Sequence, residues 1–509
     1  MPQIKNNKVE KTYWRSLQDK MDSKEIESFI VNEFPEGTVE VSETMTRKKF
    51  LSLMGASMAM AGLVGCRKPV QKILPYVNAP EDIVPGIPNY YATTMSMGLN
   101  SFGVIVESHE GRPTHIEGNQ GHPASKGGIN PQVQASILDL YDPDRLKSPM
   151  YNSKSISLTN LKKQLPSLEN NRGGVAVLSG SFNSPTTKRL YDKFNKKFSE
   201  SMWATFDLKS QENQISGLTY STKKEVLPIY HFDKSNIILS IESDFLGNDQ
   251  NAIHNQKTFS KSRKVKTKKD KMNRLYCVES TLTNTGMMAD HRYKIRSNEV
   301  YNFIAELNNS LAKNGLYKLQ EIKIKKSIFD KKYQKFIKVL SKDLIKNKSK
   351  SIIAIGDELP SELHSIVFII NQELNNNNNT ITYHSVDDFI QSNLESTKTL
   401  IDQINSGNID HLFILDIDFV HLFSHLLADN IANLVKNIYY LGSHSDLTSK
   451  VSNYIIPKSH YLEAWGDAKS IDGTTSIVQP LISPLYNSIS INEFLSILLG
   501  EDKSDYDLL

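Results

Sequence analysis

The sequence predicts an α/β fold in which parallel strands are covered by helices on both faces. Short, continuous apolar runs at Ile237–Ile241, Ile352–Ile355 and Leu412–Leu415 are typical of strands buried in such a sheet. Stretches with the spacing of amphipathic helices separate these runs. This alternation favours two Rossmann-like units. No repeat of fixed period is visible, which argues against a solenoid.

The chain divides into segments of different composition. We predict the first Rossmann-like unit over residues 171–300 and the second, with a C-terminal tail, over residues 301–509. A small β-rich module is expected at residues 99–170. It follows an extended linker at residues 67–98, whose prolines disfavour a helix. Within the module the pattern predicts two strands and a helix, at Val104–Glu107, Thr114–Glu117 and Gln132–Leu140.

Composition limits the possible functions. The 60 basic and 56 acidic side chains give a formal net charge of +4, which is too balanced to indicate nucleic-acid binding. The chain has two cysteines, Cys66 and Cys277, so it cannot supply the four thiolates of an iron–sulfur site. Cys277 lies in an apolar alternation that predicts a strand, where we expect a buried, inert thiol.

An extended export leader is predicted at residues 1–66. Arg47, Lys48 and Lys49 form a positive cluster. They precede an apolar run at residues 50–65 that is too short for a membrane anchor and suits a signal peptide. The run ends in Leu-Val-Gly-Cys, the pattern of a lipobox. We therefore expect the thiol of Cys66 to be acylated.

The same stretch resembles a twin-arginine signal of the form S/T-R-R-x-F-L. Arg47, Lys48, Phe50 and Leu51 occupy the matching positions, with Lys48 in place of the second arginine. Such signals export proteins that are already folded. The resemblance implies a location on the periplasmic side of the bacterial inner membrane, with a lipid anchor on Cys66.

Candidate ligand-binding residues follow two of the predicted strands. Glu242 and Asp244 follow one strand, and Asp416 and Asp418 follow another. Rossmann-like folds bind ligands at such strand ends, but their phosphate sites use glycines and backbone N–H groups, and G-x-G-x-x-G is absent. Because carboxylates repel a pyrophosphate, we interpret these four residues as caps of loops and turns.

A second group of candidates lies near the C-terminus. Glu463, Asp467 and Asp472 near His460 could form an acid–base or metal site. No second histidine or cysteine occurs at ligand spacing, so the pattern does not favour a metal.

Two further patterns have alternative interpretations. His109, His115 and His122 are six and seven residues apart, which suits no single helical face, so a metal site is not favoured there. The basic run Lys257–Arg274 could dock an acidic partner or lipid headgroups, and a solvated surface loop is the favoured alternative. It lacks the interleaved aromatic residues that single-stranded nucleic acid uses.

Three stretches together resemble the molybdopterin oxidoreductase superfamily. They are "GVIVESHEGRPTHIEGNQGHPASKGG" at 103–128, "RLYCVESTLTNTGMMADHRYKIRS" at 274–297, and "NYIIPKSHYLEAWGDAKSIDGTTSIVQPLISPLY" at 453–486. The collinear match is similar in particular to the B-subunit family of alternative complex III. The resemblance implies a molybdopterin-oxidoreductase-like fold with a small N-terminal β-rich module.

The sequence departs from the active members of that superfamily. Ile129-Asn130-Pro131-Gln132 stands where many of them have Cys-Pro-Lys-Gly, and no residue stands out as a molybdenum ligand. The comparison implies an empty domain with no catalytic, cofactor-binding or metal-binding residue and no cofactor.

By this resemblance we expect a non-catalytic structural subunit of a quinol-oxidising respiratory complex. The implied partners are a ferredoxin-like iron–sulfur subunit or missing C-terminal half, a polytopic quinol-binding membrane subunit, and multihaem c-type cytochrome subunits, with no nucleic acid. The family's cysteine-ligated domain does not follow here, which implies a split gene or a truncated product. The alternatives are an active molybdopterin-dependent oxidoreductase and a free-standing periplasmic lipoprotein.

Overall fold

A small antiparallel sheet opens the part of the chain that the computed structural model describes, which is residues 83–84, 86–165, 174–324 and 331–509. Its strands β1 (Asn89–Met97), β2 (Asn100–His109) and β3 (Arg112–Gly118) lie in that order. The two predicted strands fall within β2 and β3, and Glu110 and Gly111 between them have φ angles of 52° and 80°. Such left-handed backbone suits a tight hairpin.

This sheet begins earlier than predicted. The strand β1 lies inside the segment assigned to an extended linker, and it pairs with β2 along its whole length, from Asn89 opposite Ser108 to Met97 opposite Asn100. The prolines that disfavour regular structure end at Pro88. The following residues, NYYATTMSM, are rich in aromatic and β-branched side chains that favour a strand.

The larger parallel sheet has the order β5-β4-β16-β15-β14-β6-β7. The strands β6, β7, β14, β15 and β16 run parallel, while β4 and β5 form an antiparallel extension at one edge. Their bounds are β4 (Met150–Tyr151), β5 (Lys154–Ser155), β6 (Val175–Ser179), β7 (Met202–Thr205), β14 (His411–Leu415), β15 (Asn437–Gly442) and β16 (Tyr454–Pro457).

The smaller parallel sheet has the order β11-β10-β9-β12. Two antiparallel pairs, β8 with β13 and β17 with β18, lie outside these sheets. The bounds are β8 (Val226–Tyr230), β9 (Ile237–Ile241), β10 (Arg274–Glu279), β11 (His291–Lys294), β12 (Ser351–Ile355), β13 (Ile381–Ser385), β17 (Gly466–Lys469) and β18 (Thr475–Val478).

Helices alternate with the strands, as predicted. The helix expected at 132–140 is observed as α1, and Asn130 caps it by accepting a hydrogen bond from the Val133 amide at 2.7 Å. The bounds are α1 (Pro131–Leu140), α2 (Leu158–Gln164), α3 (Pro185–Lys197), α4 (Glu212–Thr222), α5 (Ala252–Lys261), α6 (Asn284–Met287), α7 (Val300–Lys313), α8 (Lys331–Lys346), α9 (Ser361–Glu373), α10 (Leu394–Asn405), α11 (Phe419–Phe423), α12 (Ile431–Leu434), α13 (Leu447–Val451), α14 (Ile491–Leu498) and α15 (Asp505–Leu508). Short 3₁₀ turns occur at Phe232–Lys234, Ser297–Glu299 and Ser424–Leu426.

Each parallel sheet has an apolar core on both faces. Along β14, Phe413 and Leu415 belong to the core on one face, while Leu412 and Ile414 belong to the core on the other. The smaller sheet is divided in the same way, because the buried side chains of its strands belong to two separate apolar cores. Leu239 of β9 belongs to one of them. Side chains alternate across a strand, so a continuous apolar run is what a sheet covered on both faces requires. The predicted α/β class is confirmed.

The order of the strands along the chain differs from the predicted division at residue 300. Val175 of β6 pairs with His411 of β14, so the larger sheet takes strands from before and after the segment that forms the smaller sheet. Apolar runs indicate that a strand is buried but carry no information about its neighbour. The two Rossmann-like units are therefore nested rather than consecutive.

No helix in the described part of the chain is long and apolar enough to cross a membrane.

Candidate functional site

The two parallel sheets end in the same arrangement of carboxylates. Glu242 directly follows β9 and Asp416 directly follows β14, with left-handed φ angles of 49° and 59°. Two residues later, Asp244 accepts hydrogen bonds from the amide and the hydroxyl of Thr285, both at 3.0 Å. Asp418 likewise accepts from the amide of Thr448 at 3.2 Å and from its hydroxyl at 2.7 Å. The predicted role as caps of loops and turns agrees with these contacts of Asp244 and Asp418.

We call the Asp244–Thr285 and Asp418–Thr448 pairs the threonine clamps. In each clamp the threonine lies in a short helix that follows the neighbouring strand, β10 or β15. Asp244 also accepts from the Asn248 amide at 3.0 Å, and Asp418 accepts from the His421 amide at 3.3 Å. Each clamp thus fixes two adjacent strand-end loops to one another.

A third carboxylate occupies the N-terminus of α3, the helix that follows strand β6 of the larger sheet. Asp467 of β17 accepts hydrogen bonds from the amide of Thr186 at 3.2 Å and from its hydroxyl at 2.8 Å. The hydroxyl of Ser184 also donates to Asp467 and caps the helix through the Thr187 amide. In Rossmann-like folds this helix end is where an anion binds. Here an anionic side chain of the same chain takes that position.

The strand ends of the larger sheet therefore do not fit a pterin nucleotide. A pyrophosphate needs free backbone N–H groups, but Asp418 and Asp467 accept hydrogen bonds from amides at those positions. A bound phosphate would have to displace carboxylates of equal sign. No step of chemistry through such a cofactor follows from these residues.

A cleft of about 1210 Å³ lies at the carboxyl end of the smaller sheet. Its walls come from the turn between β1 and β2, the loop before α1, the loop between β9 and α5, and the turn between β17 and β18. Asn100 donates a hydrogen bond to Gln250 at 3.0 Å and so joins the antiparallel sheet to the loop before α5. The charged residues of the lining are Lys126, Lys209, Asp207, Asp249, Glu358 and Asp472.

A pair of carboxyl groups, the half-buried Asp249 and the buried Asp357, lies at this cleft. Burial raises the pKa of Asp249 to about 6 and the pKa of Asp357 to about 7, and the charge of Asp249 adds to the rise at Asp357. Asp249 accepts a hydrogen bond from the hydroxyl of Ser243 at 2.6 Å. Oδ2 of Asp357 is buried and has no hydrogen-bond partner among the described residues. The positive charge of Lys209 lowers both pKa values and limits the rise.

Two histidines of the cleft, His254 and His231, have lowered pKa values and are neutral at pH 7. Burial lowers the pKa of His254, and Lys126 adds to the fall. Burial also lowers the pKa of His231, whose ring lies 6.3 Å from that of His254. His231 and His384 both contact the hydroxyl of Thr382 at 3.1 Å. These contacts supply hydrogen bonds but not a nucleophile paired with a base.

Of the residues predicted around His460, Glu463 stays beside it, while Asp467 and Asp472 have other partners. Glu463 forms a buried ion pair with Arg145 at 2.7 Å, and Asp467 lies at α3 as described. Asp472 accepts a hydrogen bond from the Thr474 amide within its own turn. The ring of His460 donates to the backbone carbonyl of Ser136 at 3.1 Å. The acid–base site considered from the sequence is therefore not formed.

The ion pair between Arg145 and Glu463 joins the small module to the C-terminal segment. Their side chains are 2% and 0% exposed. Glu463 also accepts from the amides of His460 and Leu485. Burial alone would raise the pKa of Glu463, but the hydrogen bonds from Arg145 and the two amides outweigh it, so the pKa lies below its usual range. Glu463 is thus a structural anion.

The three histidines of the small module do not converge. His109 contacts Glu107 at 2.7 Å and His115 contacts Glu117 at 3.4 Å. The buried ring of His122 accepts from the Ser125 amide and contacts the hydroxyl of Ser476 at 3.0 Å. Across the described ranges, no group of three or more His, Cys, Asp or Glu residues is placed to hold a metal ion.

Cys277 is fully buried in β10, as predicted. Burial raises the pKa of its thiol far above the usual range, and the neighbouring Glu279 adds to the rise, which keeps it protonated and unreactive. The proposed lipidation site Cys66 and the export-signal residues Arg47, Lys48, Phe50 and Leu51 lie outside the described residues.

Sequence reasoning missed Arg145, Asp357 and the partner of Asp467. Arg145 follows the turn signal Asp-Pro-Asp, but nothing in the pattern shows that its charge is buried. The sequence identifies Asp467 as a candidate acid. Its contact with Thr186 joins positions 281 residues apart, which local patterns do not show. Local periodicity indicates neither the burial of Arg145 nor the contact between Asp467 and Thr186.

Comparisons with known proteins agree with the fold. No family model matches the chain. Over 197 residues it is 26% identical to the menaquinone reductase, molybdopterin-binding-like subunit, of Nitratidesulfovibrio vulgaris. That match covers 35% of this chain and only 27% of the relative, so the chain matches about a quarter of the relative's length.

A solved structure is similar over more of the chain. Acetylene hydratase from Pelobacter acetylenicus superposes with a TM-score of 0.57 at 13% sequence identity, over 81% of this chain and 69% of that one. The chain therefore shares the mixed α/β fold of acetylene hydratase, with a small antiparallel sheet at its N-terminal side.

Proposed function

We propose that this chain is a cofactor-free structural subunit of a membrane-bound respiratory complex that exchanges electrons with quinone. The fold and the partial similarity to a molybdopterin-binding-like subunit of menaquinone reductase support this class of complex. The observation that carries the cofactor-free part is the contact of Asp467 with the N-terminus of α3.

The partners proposed are those that the sequence resemblance implies. They are a ferredoxin-like iron–sulfur subunit or domain, a polytopic quinol-binding subunit, and multihaem c-type cytochromes. The chain would act on the periplasmic side of the inner membrane, exported by its twin-arginine-like leader and anchored by a lipid on Cys66. Electrons would pass through the partners, while this chain holds them together.

Two directions of electron flow are compatible with this class. The sequence resemblance favours quinol oxidation, of the alternative complex III type, whereas the curated relative is named for menaquinone reduction. A purified complex distinguishes them, because a quinol-oxidising complex reduces its own haem when quinol is added and does not need a separate reductant.

Affinity capture from detergent-solubilised membranes tests the proposal. We expect the tagged chain to bring down a polytopic subunit together with iron and c-type haem in fixed ratio. The control replaces Arg47 and Lys48 with Gln, so that the unexported chain should lose these partners. A chain captured from the membrane alone, without haem or iron, would show a free-standing lipoprotein instead.

A further inference from the structure

Basic side chains are concentrated in one part of the molecule. Residues 257–350 carry 25 Lys and Arg against 8 Asp and Glu, a net charge of +17. The whole chain has a net charge of +4, so the remainder carries −13. A uniform abundance of lysine would not separate the two signs in this way. The positive charge of the chain is therefore concentrated in this segment of the sequence.

The helix α8 contributes one row of this charge. Lys331, Lys335, Lys338, Lys342 and Lys346 recur at spacings of four and three residues, and all are exposed. This spacing places them along one face of the helix, which is about 24 Å long at 1.5 Å per residue. The opposite face packs into the core of the smaller sheet through Tyr333 and Leu340.

The loop between α5 and β10 contributes a second group. Its exposed lysines are Lys264, Lys266, Lys268, Lys269 and Lys271. The acidic residue within this loop, Asp270, accepts hydrogen bonds from the amides of Lys266 and Thr267 and so closes the turn.

Ion pairs hold the loop, the helix and the sheet edge together. Arg274, where the loop meets β10, donates to Asp343 of α8 at 2.7 Å. Arg263, at the start of the loop, pairs with Asp290 just before β11 at 2.6 Å. These contacts link the loop to α8 and to the edge of the smaller sheet, and we call the exposed lysines of the loop and of α8 together the basic face.

The chemistry of the basic face fits lipid headgroups better than protein carboxylates. Protein interfaces are enriched in Arg and depleted in Lys. Here Arg263, Arg274 and Arg292 are already paired within the chain, and the free charge is on lysines, which act as mobile point charges. Exposed apolar side chains lie within the loop, at Val265 and Met272, and on α8, at Val339. Polybasic segments with interspersed apolar groups are typical of proteins at anionic bilayer surfaces.

We propose that the basic face binds the anionic headgroups of a phospholipid bilayer and sets the orientation of the chain on the membrane. This does not depend on the proposed role in a respiratory complex. It adds a second membrane contact to the acyl group proposed on Cys66.

Sedimentation with lipid vesicles tests this contact. The full chain carrying Cys66→Ser is mixed with vesicles of phosphatidylcholine alone or with about a third phosphatidylglycerol. We expect binding to the anionic vesicles to be at least about tenfold tighter, and about 0.5 M salt to remove the difference by screening. The neutral vesicles report any binding by the apolar leader.

Matched variants locate the contact. One variant changes Lys264, Lys266, Lys268, Lys269 and Lys271 to Gln, and the control changes the exposed Lys154, Lys163, Lys196, Lys223 and Lys224 to Gln. Both lose five charges, but only the first should lose most of the preference for anionic vesicles. Circular dichroism and thermal unfolding confirm that both variants remain folded.

Two outcomes would overturn the proposal. Equal loss in both variants would mean that total charge, and not the basic face, drives binding. If the chain shows no preference for anionic vesicles but the first variant loses its partners on affinity capture, the face docks an acidic protein and not lipid.

Discussion

The larger and the smaller parallel sheets carry the same threonine clamp, yet their carboxyl ends differ. At the larger sheet, Asp418 and Asp467 are satisfied by amides and hydroxyls, and α11 begins at the residue after Asp418. At the smaller sheet, the loop after Asp244 opens into the cleft, with the half-buried Asp249 and the buried Asp357 beside it. One unit has closed its ligand position with its own side chains, whereas the other keeps an open volume.

Two units with the same fold therefore need not keep the same ligand site at their strand ends. Both sheets place loops where this architecture binds ligands. The clamps fix those loops in both units through internal hydrogen bonds, which leaves fewer amides for an outside anion. A fold can therefore persist as a scaffold after its binding groups have turned to one another.

The largest effect is expected at the buried ion pair beside the larger sheet. Arg145→Met should lower the free energy of unfolding by about 3–5 kcal/mol, because it leaves Glu463 charged and buried. The matched change Arg274→Met, at the more exposed pair with Asp343, should cost less than about 1 kcal/mol. Urea unfolding measures both. Equal losses would contradict the distinction between the two pairs.

Asp467→Ala should lower the unfolding free energy by about 2–3 kcal/mol, since Thr186 and Ser184 lose a charged acceptor. It should also create an anion site, so inorganic phosphate should raise the melting temperature of this variant more than that of the wild type. Asp472→Ala, which frees only the amide of its own turn, serves as the control. Equal stabilisation of all three proteins by phosphate would show that Asp467 does not occupy an anion position.

The two clamps should differ in strength. Asp244→Ala should cost about 2–3 kcal/mol and Asp418→Ala about 1–2 kcal/mol, because Asp244 is only 7% exposed and Asp418 is half-buried. Double-mutant cycles with Thr285→Ala and Thr448→Ala isolate the clamp energies. A larger coupling energy for Asp418 with Thr448 than for Asp244 with Thr285 would contradict this prediction.

The smallest effect concerns the acid pair of the open cleft. The pKa values of Asp249 and Asp357 are raised to about 6 and 7, so the folded state binds more protons than the unfolded state. Stability should therefore fall as the pH rises from about 4 to about 7. Asp357→Asn should remove part of this slope and raise stability at pH 7 by about 1 kcal/mol. If Asp357→Asn were less stable than the wild type at pH 7, the folded state would favour the charged form of Asp357, contrary to this prediction.

Much of this architecture is predictable from the sequence, and its pairing is not. The runs at β9, β12 and β14 identify buried strands because their residues are apolar on both faces. The carboxylates after β9 and β14 were interpreted as caps, which the clamps support. The pairing of β6 with β14, and of Asp467 with Thr186, depends on contacts between distant positions that local patterns do not encode.

The central claim is that this chain holds no pterin cofactor of its own, and elemental and pterin analysis of the membrane complex tests it most directly. The complex is captured through this chain, and molybdenum, tungsten and the fluorescent oxidation product of pterin are quantified per mole of chain. We expect far less than one equivalent of molybdenum, tungsten or pterin per mole of chain, with iron and haem present on the partners. One equivalent of molybdenum or tungsten together with pterin would contradict it.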